Sequence, residues 1–132
     1  MNSKDFFAAL VSTLETGTGK TWGLGEPPSD TPTLPYGVIM TQRAKTPDSS
    51  LNSLVDWIDY RVQLCSVGGT YEQAAWMQQK TLDTIVGDSR AQVTAGGEVI
   101  TWVVLEENSG VVDSGHSLWQ SNDIVTFRAK FS

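Results

Sequence analysis

Cysteine and histidine are almost missing from this chain: Cys65 and His116 are the only ones in 132 residues. A single thiol cannot close an intrachain disulfide, and a four-thiolate metal site is excluded. No other ligand pair stands at a metal-binding spacing. His116 sits in a polar loop between Gly115 and Ser117, with no sequence partner to make it a general base. Positive charge is also scarce, with 9 Lys and Arg against 15 Asp and Glu and a formal net charge of -6. That balance argues against a surface built to grip phosphates, which needs clustered Lys and Arg. No apolar run approaches the ~20 residues of a membrane-spanning helix. The opening MNSKDFF contains no long apolar stretch, so no secretory signal is expected there.

What is present describes a folded domain. Hydrophobic residues make up 39% and charged residues 18%, proportions of an ordinary globular protein rather than a disordered one. The length suits one hydrophobic core, so residues 1–132 are read as a single domain. Twelve glycines and five prolines, mostly outside the periodic stretches, imply many loops.

Ser3 is placed to cap a first helix, with Asp5 favouring the positive end of its dipole. Phe6, Phe7, Leu10, Val11 and Leu14 form one apolar stripe, and Gly17 is expected to end the helix. The exit, GTGKT (17–21), imitates the end of a phosphate-binding loop. Leu14 stands where the first glycine of that motif belongs, and Trp22 to Pro28 cannot form the helix that should follow. A glycine-rich helix exit accounts for the same letters. Residues 17–33 then form a Gly/Pro/Ser/Thr connector that Trp22 and Leu24 should hold against the body. Leu34 to Met40 reads as a short strand begun by Pro35. Thr41 to Ser53 is a long polar loop carrying Arg43 and Lys45, either simply exposed or used to dock on a neighbour.

The clearest unit lies between Asp56 and Gly87. Ile58, Tyr60, Val62 and Leu64 alternate with Trp57, Asp59, Arg61, Gln63 and Cys65, the period-2 pattern of a strand with one buried face. Gly68 and Gly69 permit a reversal, Thr70 can cap the next helix, and Gln73 completes a capping box. Tyr71, Ala74, Ala75, Leu82, Ile85 and Val86 then share one side of that helix, and Gly87 stands at its end. Further on, Glu98 to Glu106 is apolar on both alternations, as a strand covered on both faces would be. Val111 to Asp113 suggests a short strand. Asp123 to Phe131 suggests a last one, with Val125, Phe127, Ala129 and Phe131 inward and Thr126, Arg128 and Lys130 outward. The expected fold is α+β: a mostly antiparallel sheet of about four strands with two helices packed on one face.

The run YRVQLCSVGGTYEQAAWMQQKTLDTIVG (60–87) resembles the strand-turn-helix core of tail terminator proteins of long-tailed bacteriophages. An opening helix, the Pro35-Tyr36-Gly37 strand start and the closing strand agree with that likeness. The resemblance implies a virion protein, assembled in the host cytoplasm, that forms a homo-oligomeric ring, commonly hexameric. Such a ring sits on the head-proximal end of the tail tube, stops tube growth and presents a surface to the head-tail connector. DNA would pass through the lumen without specific binding, which an acidic chain suits. Neither a cofactor nor a catalytic residue nor a membrane is implied. Large apolar residues among polar ones are typical interface anchors. On that ground Trp57 on the strand and Trp76 and Met77 on the helix are candidates for subunit or tube contacts, together with Arg61 and Lys80 on the same elements and Arg43 and Lys45 in the loop. Packing of Trp57 and Trp76 beneath loops of their own chain is the bland alternative. A head-completion or neck protein, and more remotely a small nucleotide-binding enzyme using GTGKT, are the other readings.

Overall fold

The computed structural model describes residues 3–41, 57–86, 93–95, 98–100 and 102–130. Helix α1 (Ser3–Thr18) is followed by strands β1 (Trp22–Leu24), β2 (Tyr36–Thr41) and β3 (Trp57–Gly68). Helix α2 (Tyr71–Val86) follows, then β4 (Val93–Ala95), β5 (Glu98–Ile100), β6 (Trp102–Asn108), β7 (Val112–Gly115) and β8 (Leu118–Lys130). The main sheet runs β1-β2-β3-β8-β6, with β7 also pairing on β8, while β4 and β5 form a separate ribbon. All pairings are antiparallel except β1 on β2. The α+β class with two helices is as expected; the sheet has more strands than expected and is mixed.

Register sorts the side chains. Tyr60 pairs with Phe127, Val62 with Val125 and Leu64 with Asp123, so these share one face. Phe6, Leu10 and Leu14 of α1 and Met77 and Ile85 of α2 close over that face, joining Trp22, Ile39, Tyr60, Val62, Leu64, Val125 and Phe127 in the main core. Phe6 stacks on Tyr60 at 4.2 Å and meets Phe127 edge-on at 5.4 Å. The other face carries a smaller cluster of Tyr36, Val38, Cys65 and Val67, with Leu34 and Leu118 packed against it.

Four expectations need correction. Helix α1 runs through Gly17, where a Cβ would strike the Thr84 side chain of α2, and it is Gly19, at φ 72°, that takes the left-handed ending. The connector contains a strand: Trp22 is buried in the main core and its backbone lies parallel to Gly37, although Leu24 is exposed. The apolar stretch from Glu98 divides into β5, paired with β4, and β6, paired with β8. Thr126, expected to point into solvent, is buried on the face away from the helices.

Candidate functional site

The junction of β3 and α2 is held by the predicted chemistry. The Thr70 hydroxyl accepts from the Gln73 amide at 3.1 Å, and the Gln73 side chain accepts from the Gly69 amide at 2.7 Å. Gly68 has no room for a side chain, because a Cβ there would press on the backbone of Gln73 and Ala74. This turn fixes the angle at which α2 lies on the sheet.

The buried stripe of α2 is Ala74, Met77, Thr81 and Ile85. Met77 is fully buried, which corrects its placement among the exposed candidates: the phase of the helix is set by Thr81 as well as by the apolar letters. Thr81 can face the core because its hydroxyl donates to the Met77 carbonyl at 2.8 Å. Tyr71, expected inside, is exposed, with its ring edge-on to Trp119 at 5.8 Å.

Trp76 does lie on the outer side of α2, with 42% of its surface exposed. Lys80, one turn on, places its ammonium 5.9 Å from the indole centroid, and Lys20, beyond the end of α1, does so at 5.6 Å. Two ammonium groups thus lie within cation–π reach of one partly exposed ring. Lys20 belongs to the GTGKT segment, which here closes α1 and leads into β1. The Gly19 amide donates to the Glu15 carbonyl, the Thr18 hydroxyl accepts from the Trp22 indole at 3.1 Å, and the chain passes from helix to turn to strand. A phosphate-binding loop has the reverse order, strand to loop to helix.

Arg61 is half-buried on the sheet face away from the helices, opposite Thr126. Beside it Gln63 donates to the Asn122 side-chain oxygen at 3.1 Å, and Gln120 donates to the same atom at 2.8 Å. Gln63 also approaches the Cys65 sulfur at 3.6 Å. Burial pushes the Cys65 thiol pKa up, against the lowering effect of the Gln63 and Gln120 side chains, so the group is held as a neutral thiol rather than activated. The Trp57 backbone opens β3 opposite Lys130, but its side chain lies outside the described part, as do Arg43 and Lys45 altogether.

Two features escaped the sequence. The first is Asp123, fully buried under α2 beside Ser66 and Ser121. Its Oδ1 accepts from Gln78 at 3.1 Å, while its Oδ2 and both serine hydroxyls have no hydrogen-bond partner among the described residues. Burial raises its pKa to about 6, and the Gln78 hydrogen bond opposes that rise. A shifted carboxyl beside hydroxyls can mark catalysis; this one is fully buried. Extending the inward phase of Val125 and Phe127 back by two residues would have revealed it. The second is a cleft of about 320 Å³ between the Pro-rich connector and the sheet, lined by Pro27, Pro32, Leu34, Tyr36 and Leu118 with Asp30 and Ser29.

Among the described residues no group of three or more His, Cys, Asp or Glu could hold a metal, and no helix is long and apolar enough to cross a membrane. Comparison with protein-family models finds no match, and comparison with curated protein sequences finds none either.

Proposed function

We propose that this chain is a structural virion protein, a tail terminator that assembles as a ring, hexameric by the resemblance, on the head-proximal end of a phage tail tube. There it would end tube growth and offer the surface to which the head-tail connector joins. The observation that carries this reading is the strand, glycine turn and capped helix from Trp57 to Val86, formed by the residues on which the resemblance rests. The distribution of candidate contacts supports it. Trp76 and Lys80 are exposed on α2, and Arg61 and Gln63 lie on the face of the sheet away from the helices. A ring needs two different surfaces on each copy, because head-to-tail contacts close by rotation. Function on this reading is geometric, with DNA sliding past an acidic lumen.

Electron microscopy of tails assembled with and without the protein checks the proposal. Tubes lacking it should grow to uncontrolled length, and adding it should place one ring at a single end. Tubes of normal length in its absence, with loss only of head attachment, would assign it to the neck instead.

A further inference from the structure

We propose that Trp76 of one copy seats in the cleft between connector and sheet of the next, with Lys20 and Lys80 at the rim facing Asp30. The contact rests on the ring reading and specifies how neighbouring copies would hold each other.

Each half is incomplete alone. Trp76 is a large aromatic side chain left 42% exposed, and the two lysines beside it make a cationic rim on a chain of net charge -6. The cleft offers what such a side chain needs. Pro27, Pro32, Leu34 and Leu118 supply apolar walls, Tyr36 a ring, and exposed Asp30 a negative charge at the edge. Its volume, about 320 Å³, lies at the small end of the range of ligand clefts, about 300–1,000 Å³, room for one indole rather than an extended ligand. Tryptophan is among the residues enriched at interface hot spots, which cluster in well-packed pockets.

The two halves cannot meet within one chain. Trp76 stands on the outer side of α2, which covers one face of the sheet, whereas Tyr36 and Leu118 belong to the cluster on the other face. A second copy satisfies both, and each copy so bound still presents one free Trp76 and one free cleft. That is a heterologous contact, which yields a ring if the rotation closes. Opposite charges at the rim would set orientation and speed of docking more than strength.

Sedimentation of the intact chain and two variants provides the experiment. Trp76→Ala removes the anchor and Pro32→Arg fills the cleft; thermal melting confirms that each is folded. The wild type is expected to self-associate, and either variant alone to associate about 30-fold more weakly, the size of a strong anchor's loss. Mixed in equal amounts, the variants should form one-to-one pairs and nothing larger, since only one productive contact remains. Lys80→Glu should weaken assembly a few-fold at low salt, and adding Asp30→Lys to it should restore it. A wild type that stays monomeric at millimolar concentration, a Trp76→Ala variant that assembles normally, or variants that never pair would each overturn the contact. Microscopy separates the two claims. Trp76→Ala rings on tubes would remove the contact and leave the terminator reading standing. A wild type that assembles through Trp76 yet decorates no tube would do the reverse.

Discussion

The two faces of the sheet are finished in different ways. Under the helices, aromatic and aliphatic side chains interlock: Phe6 touches Phe7, Tyr60 and Phe127, and Leu10, Leu14, Met77 and Ile85 fill the rest. On the other side four buried residues make a small cluster, and beyond it Gln63, Gln120 and Asn122 share hydrogen bonds in a half-buried row. The first face holds the fold together by excluding water. The second leaves polar groups half-buried and bonded to one another, so losses there should cost less stability.

The largest effect expected is on the helix side. Phe6→Ala should cost about 3–5 kcal/mol, because three ring contacts vanish and the helix cannot collapse into the space. Met77→Ala should cost about 2–5 kcal/mol on the same grounds. Chemical denaturation measures both. Loss of less than about 1 kcal/mol at Phe6 would mean the two faces do not differ as described.

Asp123 is the flaw in the well-packed face, and its effect depends on pH. Its folded pKa, about 6, lies above the ordinary value of 3.8. The folded state therefore holds the proton more tightly, and the stability this brings is full below pH 3.8 and lost as pH rises through 6. The shift bounds the loss at about 3 kcal/mol. Asp123→Asn keeps an oxygen for Gln78 and removes the buried charge. Its melting temperature should exceed that of the wild type above pH 6, and the gap should close towards pH 4. A gap that does not change with pH would show that the carboxyl titrates alike in the folded and unfolded chain, so that burial does not shift it.

Sequence made the regular parts of this architecture legible and the long-range parts opaque. The stripe Phe6, Leu10, Leu14 needs nothing beyond the helical repeat, and Thr70 with Gln73 announces a helix start by local chemistry alone. The phase of α2 was lost because two of its inward residues, Gln78 and Thr81, are polar and find partners that only the fold provides. Three-residue β1 was hidden in a glycine- and proline-rich stretch, since its strand character comes from pairing with β2. The apolar run from Glu98 gave no sign of its division, because both daughter strands are apolar. Of the candidate contacts, Trp76, Lys80 and Arg61 follow from their neighbours along one element, whereas the cleft joins residues 27–36 to Leu118 and no periodicity links them.

A smaller effect is expected on the open face. Gln63→Ala removes one of two donors to the Asn122 oxygen, and Gln120 still serves it, so the cost should be about 1 kcal/mol or less. Denaturation of Gln63→Ala beside Phe6→Ala gives the contrast between faces directly. Equal losses would erase it.

A small effect on stability is likewise expected of Trp76→Ala, and its neighbour in the chain makes the point sharply. Met77 and Trp76 are adjacent in sequence, yet one is fully buried and the other is 42% exposed. Removing the indole exposes no core, leaves Lys20 and Lys80 free to hydrate, and replaces an aromatic residue with a better helix former. The lost cation-ring attractions are worth about 0.5–1 kcal/mol each at an exposed site, and the gain in helix propensity offsets part of that. A melting temperature within about 2–4 °C of the wild type is therefore expected. A fall as large as that of Met77→Ala would place Trp76 in the fold's own packing and leave the outer surface of α2 without an anchor.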